Sequence, residues 1–194
     1  MTEYKGLPVI EMTIDGDGLA VDAVSLVDKP AIQRTFQMFN DEQHKIMFAI
    51  QDEERHIISG ALMLSDTPIF RTDPKRGDFY CIFSKETIEK IAVKFFENGY
   101  QSNVNLQHNN GEMLQGLTMF ESFISDKSRG VLPMKGFEDC PDGSWFGSFK
   151  VNNEEAWTLI KEGKVKGFSV EGLFSLAAFE KDEFWDELER ILSE

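Results

Sequence analysis

The sequence predicts an α+β protein that is mainly β, a mostly antiparallel β-barrel or sandwich with two or three helices packed outside it. Many short apolar stretches alternate with period two and are separated by turns rich in Gly, Pro, Asn and Asp. Few stretches show the apolar spacing of a helix. No strand–helix repeat of the kind that builds a parallel sheet is present in the sequence.

The first part of the chain is predicted to form strands joined by polar turns. Residues 7–14 alternate, 15–18 have turn chemistry, and 21–27 resume the strand. We assign residues 1–45 to an N-terminal appendage, and its role as a propeptide, a docking arm or a part of the barrel stays open. Strands of the barrel domain, 46–180, are expected at 47–51, 56–64, 67–71, 79–83, 104–108, 117–125, 145–151 and 167–172.

Three helices are predicted. Ser84 is a candidate N-cap for the first, and Asn98-Gly99 is its stop signal. Between them lies an apolar stripe at helical spacing, made of Ile88, Ile91, Ala92, Phe95 and Phe96. A short helix is expected over 154–162, with Trp157 and Ile160 inward. A C-terminal amphipathic helix is expected over 181–194.

Composition argues against several function classes. The net charge is −14 and no basic block occurs, which argues against nucleic acid as a partner. No apolar run is long enough for a transmembrane helix, and the N-terminus lacks a signal-peptide pattern, so we expect no membrane association and no export. Cys81 and Cys140 match no CxxC pattern, and the three histidines have no zinc-ligand spacing, so no metal or cofactor is predicted.

The last predicted strand carries a serine between two glycines. Alternation places Ser169 and Glu171 on one face of it, and Phe168 and Val170 on the other. Flanking glycines remove side-chain bulk, so a second backbone or a substrate can approach closely. A buried strand with an incidental serine fits the same pattern.

A serine becomes a nucleophile when a base takes its proton, and histidine is the usual base near neutral pH. His108 ends a predicted strand at a loop rich in Asn and Gly, whereas His44 and His56 lie in charged surroundings and are expected at the surface. Glu121 interrupts an apolar strand and is a candidate for the acid that orients the imidazole, although alternation also permits an outward position. Each of these residues also has a purely structural interpretation.

Five separated pieces of sequence, in order, resemble the XkdF-like branch of the phage prohead maturation proteases. They are His108 before its loop, 119–123, 143–147, 154–157 and 167–172. These serine proteases are related in fold to the herpesvirus capsid assembly protease. The resemblance covers roughly residues 55–176, and residues 24–32 also look like the N-terminal region of such phage proteins.

The resemblance implies a closed β-barrel that carries a catalytic triad. In this triad Ser169 is the nucleophile, His108 is the general base and Glu121 is the acid, with Glu171 as the second choice for the acid. Backbone N–H groups near Gly130 or near Ser169 would bind the oxyanion. The implied substrates are the scaffold protein, the capsid protein and the enzyme itself, cleaved in the host cytoplasm inside the assembling procapsid. The residues 192–194 fit a cleavage pattern of some relatives, which suggests self-cleavage at the C-terminus.

Two other functions compete with an active endopeptidase. One is a catalytically inactive structural or scaffold-associated capsid assembly protein of the same fold. The other is an unrelated β-barrel binding module in which the serine is incidental. Ser169, His108 and Glu121 together favour the protease, because an inactive homologue has no chemical reason to retain all three. The oligomeric state stays open, with a homo-oligomer among the alternatives.

Overall fold

The computed structural model describes residues 3–14, 21–28, 49–52, 55–73, 77–109, 113–172 and 175–176. Within these ranges the chain is mainly β, with two α-helices. The strands are β1 (Glu3–Tyr4), β2 (Leu7–Thr13), β3 (Val21–Val27), β4 (Ala49–Asp52), β5 (Ile57–Met63), β6 (Ile69–Asp73), β7 (Gly77–Ile82), β8 (Val104–Leu106), β9 (Leu117–Ile124), β10 (Trp145–Val151), β11 (Gly167–Gly172) and β12 (Ser175–Leu176). The helix predicted over 181–194 lies outside the described residues.

The strands form three separate sheets. One has the order β1-β2-β7-β6, with β12 also paired to β2, and the second has the order β4-β5-β10-β9. The third has the order β11-β3-β8, so its middle strand comes from the N-terminal part of the chain. Most neighbouring strands are antiparallel, but β2 pairs with β7, and β3 with β8, in parallel.

The prediction of a closed β-barrel is wrong. A barrel closes only when its first and last strands pair, and none of the three sheets does so within the described residues. The reason lies in β2 and β3, which pair in parallel with strands far along the chain and distribute the strands over separate mixed sheets. Such long-range pairings leave no signal in the alternation of single strands.

Both α-helices of the described region span the residues predicted for them to within one residue. Helix α1 spans Lys85–Glu97, and the Ser84 side chain accepts a hydrogen bond from the Thr87 N–H at 3.4 Å. Helix α2 spans Glu154–Lys161, and the Asn153 side chain accepts from the Ala156 N–H at 2.9 Å. Each cap satisfies an N–H group that the first helical turn leaves without an intrahelical partner. No helix of the described chain is long and apolar enough to cross a membrane.

One large apolar core joins the sheets and both helices. Trp145 of β10 is fully buried, and its ring lies edge-on to Phe95 of α1 with 5.5 Å between centroids. Phe149 of β10 packs against Phe168 of β11 with 4.9 Å between ring centroids. The second contact holds the four-stranded sheet against the three-stranded sheet. The strand of Ser169 is therefore anchored to the core through the face opposite the serine.

Candidate active site

The candidate site lies on the three-stranded sheet β11-β3-β8. In the register of this sheet, Ser169 of β11 lies opposite Ser25 of β3, and Ser25 lies opposite Asn105 of β8. Residues that oppose each other in neighbouring strands share a face of the sheet. A row of three polar side chains therefore crosses the sheet, with exposures of 7% for Ser169 and 0% for Ser25 and Asn105.

The two faces of this sheet differ in chemistry, as the alternation in β11 predicts. The face opposite the row of Ser169, Ser25 and Asn105 is apolar. It belongs to the core, where its side chains are buried: Phe168, Leu26, Val24 and Val104. Glu171 lies two residues beyond Ser169 and opposite Ala23, so it shares the face of the serine row. Burial of the apolar face fixes the register, since a slip of one residue would place Ser169 in the core.

His108 lies in a tight turn directly after β8. The predicted strand over 104–108 ends early, at Leu106, because Gln107 and His108 have φ values of 53° and 61°. These left-handed conformations cannot continue a strand, and they are uncommon outside glycine. The turn is held to β3 by two hydrogen bonds, from the Gln107 N–H to the Leu26 carbonyl at 3.0 Å and from the His108 N–H to Ser25 Oγ at 2.8 Å.

The turn brings the imidazole of His108 to Glu171. His108 Nδ1 lies 2.9 Å from Glu171 Oε1, with side-chain exposures of 48% for the histidine and 11% for the glutamate. An ionised carboxylate only accepts hydrogen bonds, so Nδ1 carries the proton in this contact. The bond then selects the tautomer in which Nε2 is the basic nitrogen, as in a Ser-His-acid arrangement.

Ser169 completes the group without a direct hydrogen bond to the imidazole. In the part of the chain that the structure describes, no hydrogen bond joins Ser169 Oγ to His108, although His108 contacts Ser25 and Glu171, whose side chains share the sheet face of Ser169. Hydrogen bonds between catalytic groups are often long in the absence of substrate and shorten when it binds. The sheet thus collects a serine hydroxyl, an imidazole and a carboxylate on one face.

Glu121 is placed elsewhere. It lies on β9, opposite Ser148 of β10, in the four-stranded sheet rather than the sheet of Ser169. Its side chain is exposed and lines an open surface groove with Phe96 of α1 and Phe120. Of the two carboxylates that the sequence indicates, Glu171 therefore bonds to His108. Glu121 is exposed because the register of β9 with β10 shifts at Phe120, which breaks the alternation that buries Leu117 and Met119.

Two further residues named from the sequence, His56 and Gly130, have structural roles. His56, expected at the surface, is partly buried and stacks on Trp157 with 4.4 Å between ring centroids. Gly130 has a φ of 76°, and its N–H donates to the Lys127 carbonyl at 3.2 Å. That N–H group is thus already bound within its own turn. His44 lies outside the described residues.

Comparison with known families indicates a serine protease. A family described as "Putative phage serine protease XkdF" matches residues 44–178, well over half of the chain. The chain belongs to this family. The XkdF description names a serine protease, which is a hydrolase, and the match contains Ser169, His108, Glu121 and Glu171. No curated protein and no solved structure matches the chain.

Sequence reasoning missed Ser25. Its strand precedes the residues matched by the XkdF family, and the pairing of β3 with β11 joins positions far apart in the chain. The one available signal was polarity, since Ser25 interrupts the apolar strand Val21–Val27. A buried hydroxyl in such a strand needs a hydrogen-bonding partner, and here that partner is the backbone of His108.

Proposed function

We propose that this protein is a serine endopeptidase of phage procapsid maturation, with Ser169 as nucleophile, His108 as general base and Glu171 as the acid that orients the imidazole. The XkdF match supports a phage serine protease. One observation supports the choice of residues: the hydrogen bond of 2.9 Å between His108 Nδ1 and Glu171 Oε1, on the sheet face that carries Ser169. Glu171 replaces Glu121 in this proposal because of that bond.

The environment of the pair suits general-base catalysis. Glu171 is 11% exposed, so its carboxylate is largely shielded from water, whereas the imidazole is 48% exposed and can meet a substrate. A shielded carboxylate strengthens a charge-assisted hydrogen bond and stabilises the imidazolium that forms during the reaction. The left-handed turn at 107–108 stores local strain, a feature that clusters at functional sites.

The reaction follows the acyl-enzyme sequence. His108 Nε2 takes the proton of Ser169 Oγ as this oxygen forms a bond to the scissile carbonyl carbon. The C–N bond then breaks, and the same proton passes to the leaving amine. Water attacks the acyl-enzyme while Nε2 accepts its proton, and that proton returns to Ser169 Oγ. Glu171 remains ionised and holds Nδ1–H throughout.

The proposed substrates are the scaffold protein, the capsid protein and the enzyme itself, and the proposed place of cleavage is the assembling procapsid in the host cytoplasm. The chain is acidic, with a net charge of −14, which favours solubility at high local concentration. We expect cleavage to need no metal or organic cofactor, since a serine, an imidazole and a carboxylate supply nucleophile, base and orienting group.

The test uses the cognate capsid and scaffold proteins. Wild type, Ser169→Ala and Ser59→Ala are incubated with them and alone, and the fragments are identified by mass. Ser59 is a buried serine of β5 whose hydroxyl donates to Ser148 Oγ at 2.8 Å, so its variant controls for loss of a buried hydroxyl. We expect cleavage by wild type and Ser59→Ala but none by Ser169→Ala.

The fold of each variant is checked by circular dichroism. Equal cleavage by wild type and folded Ser169→Ala would reject Ser169 as the nucleophile. No cleavage by wild type under assembly conditions would favour the inactive structural protein instead. Fragments from wild type incubated alone would support self-cleavage.

A further inference from the structure

We propose that Ser25 is a positioning residue of the candidate active site: its buried hydroxyl holds the backbone of His108 so that the imidazole stays against Glu171, on the sheet face that carries Ser169. This inference rests on the proposed function. It extends the site to strand β3, which precedes the residues 44–178 matched by the family.

The first argument is the place of Ser25 in the sheet. β3 is the middle strand, between β11 with Ser169 and β8 with the His108 turn. Neighbouring strands lie about 4.8 Å apart, so β8 and β11 are separated by roughly 10 Å across β3. The chain after β8 must therefore fold back over β3 for His108 to reach Glu171. That segment is hydrogen-bonded to the middle strand at Leu26 and at Ser25, and Ser25 is the residue that binds His108.

The second argument is the hydrogen bond itself. The His108 N–H donates to Ser25 Oγ at 2.8 Å, a good length for such a bond, and Ser25 is 0% exposed. Removal of Oγ would take this acceptor away from the His108 N–H. The neighbouring bond, from the Gln107 N–H to the Leu26 carbonyl, uses backbone on both sides. Ser25 thus supplies the side-chain bond that holds the histidine itself.

The third argument is strain. His108 has a φ of 61° and Gln107 a φ of 53°, and neither is a glycine. Backbone in this region persists only where the surroundings hold it in place. Since the imidazole is attached to this backbone, relaxation of the turn would move Nδ1 away from Glu171. A displacement of about 1 Å in a catalytic group can lower the rate about 100-fold.

Ser25 is not a second nucleophile in this account. Its Oγ already accepts from the His108 N–H, and its 0% exposure keeps it from a substrate, whereas Ser169 retains 7%. The two serines that face each other across β3 and β11 therefore divide two tasks. Ser169 reacts, and Ser25 holds the base.

The test compares Ser25→Ala, Ser25→Thr and the control Ser59→Ala. The first readout is the rate at which a fluorophosphonate probe labels the protein, which needs no identified substrate. We expect labelling to fall by about 10- to 100-fold in Ser25→Ala. Ser25→Thr retains an acceptor oxygen, and we expect it to recover most of the rate. Ser59→Ala should label like wild type, because the hydrogen bond between Ser59 and Ser148 lies in the four-stranded sheet β4-β5-β10-β9, away from the sheet of Ser169.

The second readout is the tautomer of His108, read from the ring nitrogen shifts by NMR in mildly alkaline buffer, where imidazole is ordinarily neutral. It is recorded in a Ser169→Ala background, so it does not depend on activity. We expect the Nδ1–H form with Ser25 present and a larger Nε2–H share in Ser25→Ala. A merely structural loss of stability would leave the tautomer of the folded protein unchanged.

The outcomes separate this inference from the proposed function. Labelling of wild type with an unchanged rate and tautomer in Ser25→Ala would overturn the role of Ser25 alone. Labelling that is equal in wild type and Ser169→Ala would overturn the proposed nucleophile, while the NMR readout would still decide the role of Ser25. If Ser25→Ala does not fold, the inference requires Ser25→Thr to keep the wild-type tautomer, and an Nε2–H form there would reject it.

Discussion

Glu171→Gln should impair the site far more than Glu121→Gln. The amide is almost the same size as the carboxylate, so packing around either side chain changes little. At position 171, however, the amide loses the negative charge that faces His108 Nδ1 at 2.9 Å. It can also donate a hydrogen bond to Nδ1, which favours the tautomer with the proton on Nε2. That tautomer cannot accept the proton of Ser169.

The expected size of the effect comes from the geometry of the pair. A hydrogen bond to a charged group contributes about 1.5–3 kcal/mol, which corresponds to about 10- to 150-fold in rate. In the Ser-His-Asp proteases, loss of the charge with the wrong tautomer costs about 10⁴-fold. His108 is 48% exposed, so water can replace part of the interaction. We therefore expect a loss of about 100-fold in labelling rate, within the first of these two estimates. An exposed residue such as Glu121 should change the rate by about twofold at most.

The assay is the rate of fluorophosphonate labelling of each variant, measured at a pH above which the rate no longer rises. The fold is checked by circular dichroism. Glu121→Gln is the matched control, since it makes the same chemical change in the other carboxylate that the sequence indicates. A large loss in Glu121→Gln with little loss in Glu171→Gln would refute our assignment of the acid. Equal losses in both would mean that neither carboxylate acts through the bond seen here.

Three further predictions concern stability and reactivity. Trp145→Ala should lower the free energy of unfolding by about 3–5 kcal/mol, because the ring is fully buried against Phe95 and its Nε1 donates to Ser122 Oγ at 2.8 Å. Denaturant titration measures this loss, and a value below about 1 kcal/mol would contradict the packing of the ring. Hydrogen bonds from the Ser128 hydroxyl and from Arg129 lower the pKa of Asp126 from 3.8 to about 2. Since the pKa is lower in the folded state, the Asp126 carboxylate stabilises the fold above pH 3.8 and loses this effect as the pH falls to about 2. The difference in unfolding free energy between wild type and Asp126→Asn should therefore vanish as the pH falls through that range. A difference that stays constant with pH would contradict the lowered pKa. Burial raises the pKa of Cys140 to about 12 and also raises that of Cys81. Neither thiol should therefore react with a thiol reagent at neutral pH until denaturant is added. Rapid reaction of the native protein would show instead that the thiols are accessible.

The local elements could be predicted because their signals lie within a few residues of one another. Helix α1 begins after the Ser84 cap, as predicted, since a cap and an apolar stripe act over single helical turns. Strand β11 has the predicted faces, because alternation places Phe168 in the core and Ser169 opposite to it.

The arrangement of the strands could not be predicted in the same way. The barrel prediction failed because strand pairing depends on contacts between distant segments, such as Ser25 with Ser169. The same limit applies to the acid. Glu171 shares the face of Ser169 by alternation, but its contact with His108 depends on the turn that folds over β3. Only the three-dimensional structure joins these pieces.

The central claim is that Ser169 is a nucleophile activated by His108. The most direct measurement labels the wild-type protein with a fluorophosphonate, digests it and locates the modified serine by mass spectrometry, with His108→Ala as the control. Our account predicts a single modification at Ser169 that His108→Ala nearly abolishes. A modification on another serine, an equal yield in His108→Ala, or no labelling of folded wild type would contradict it.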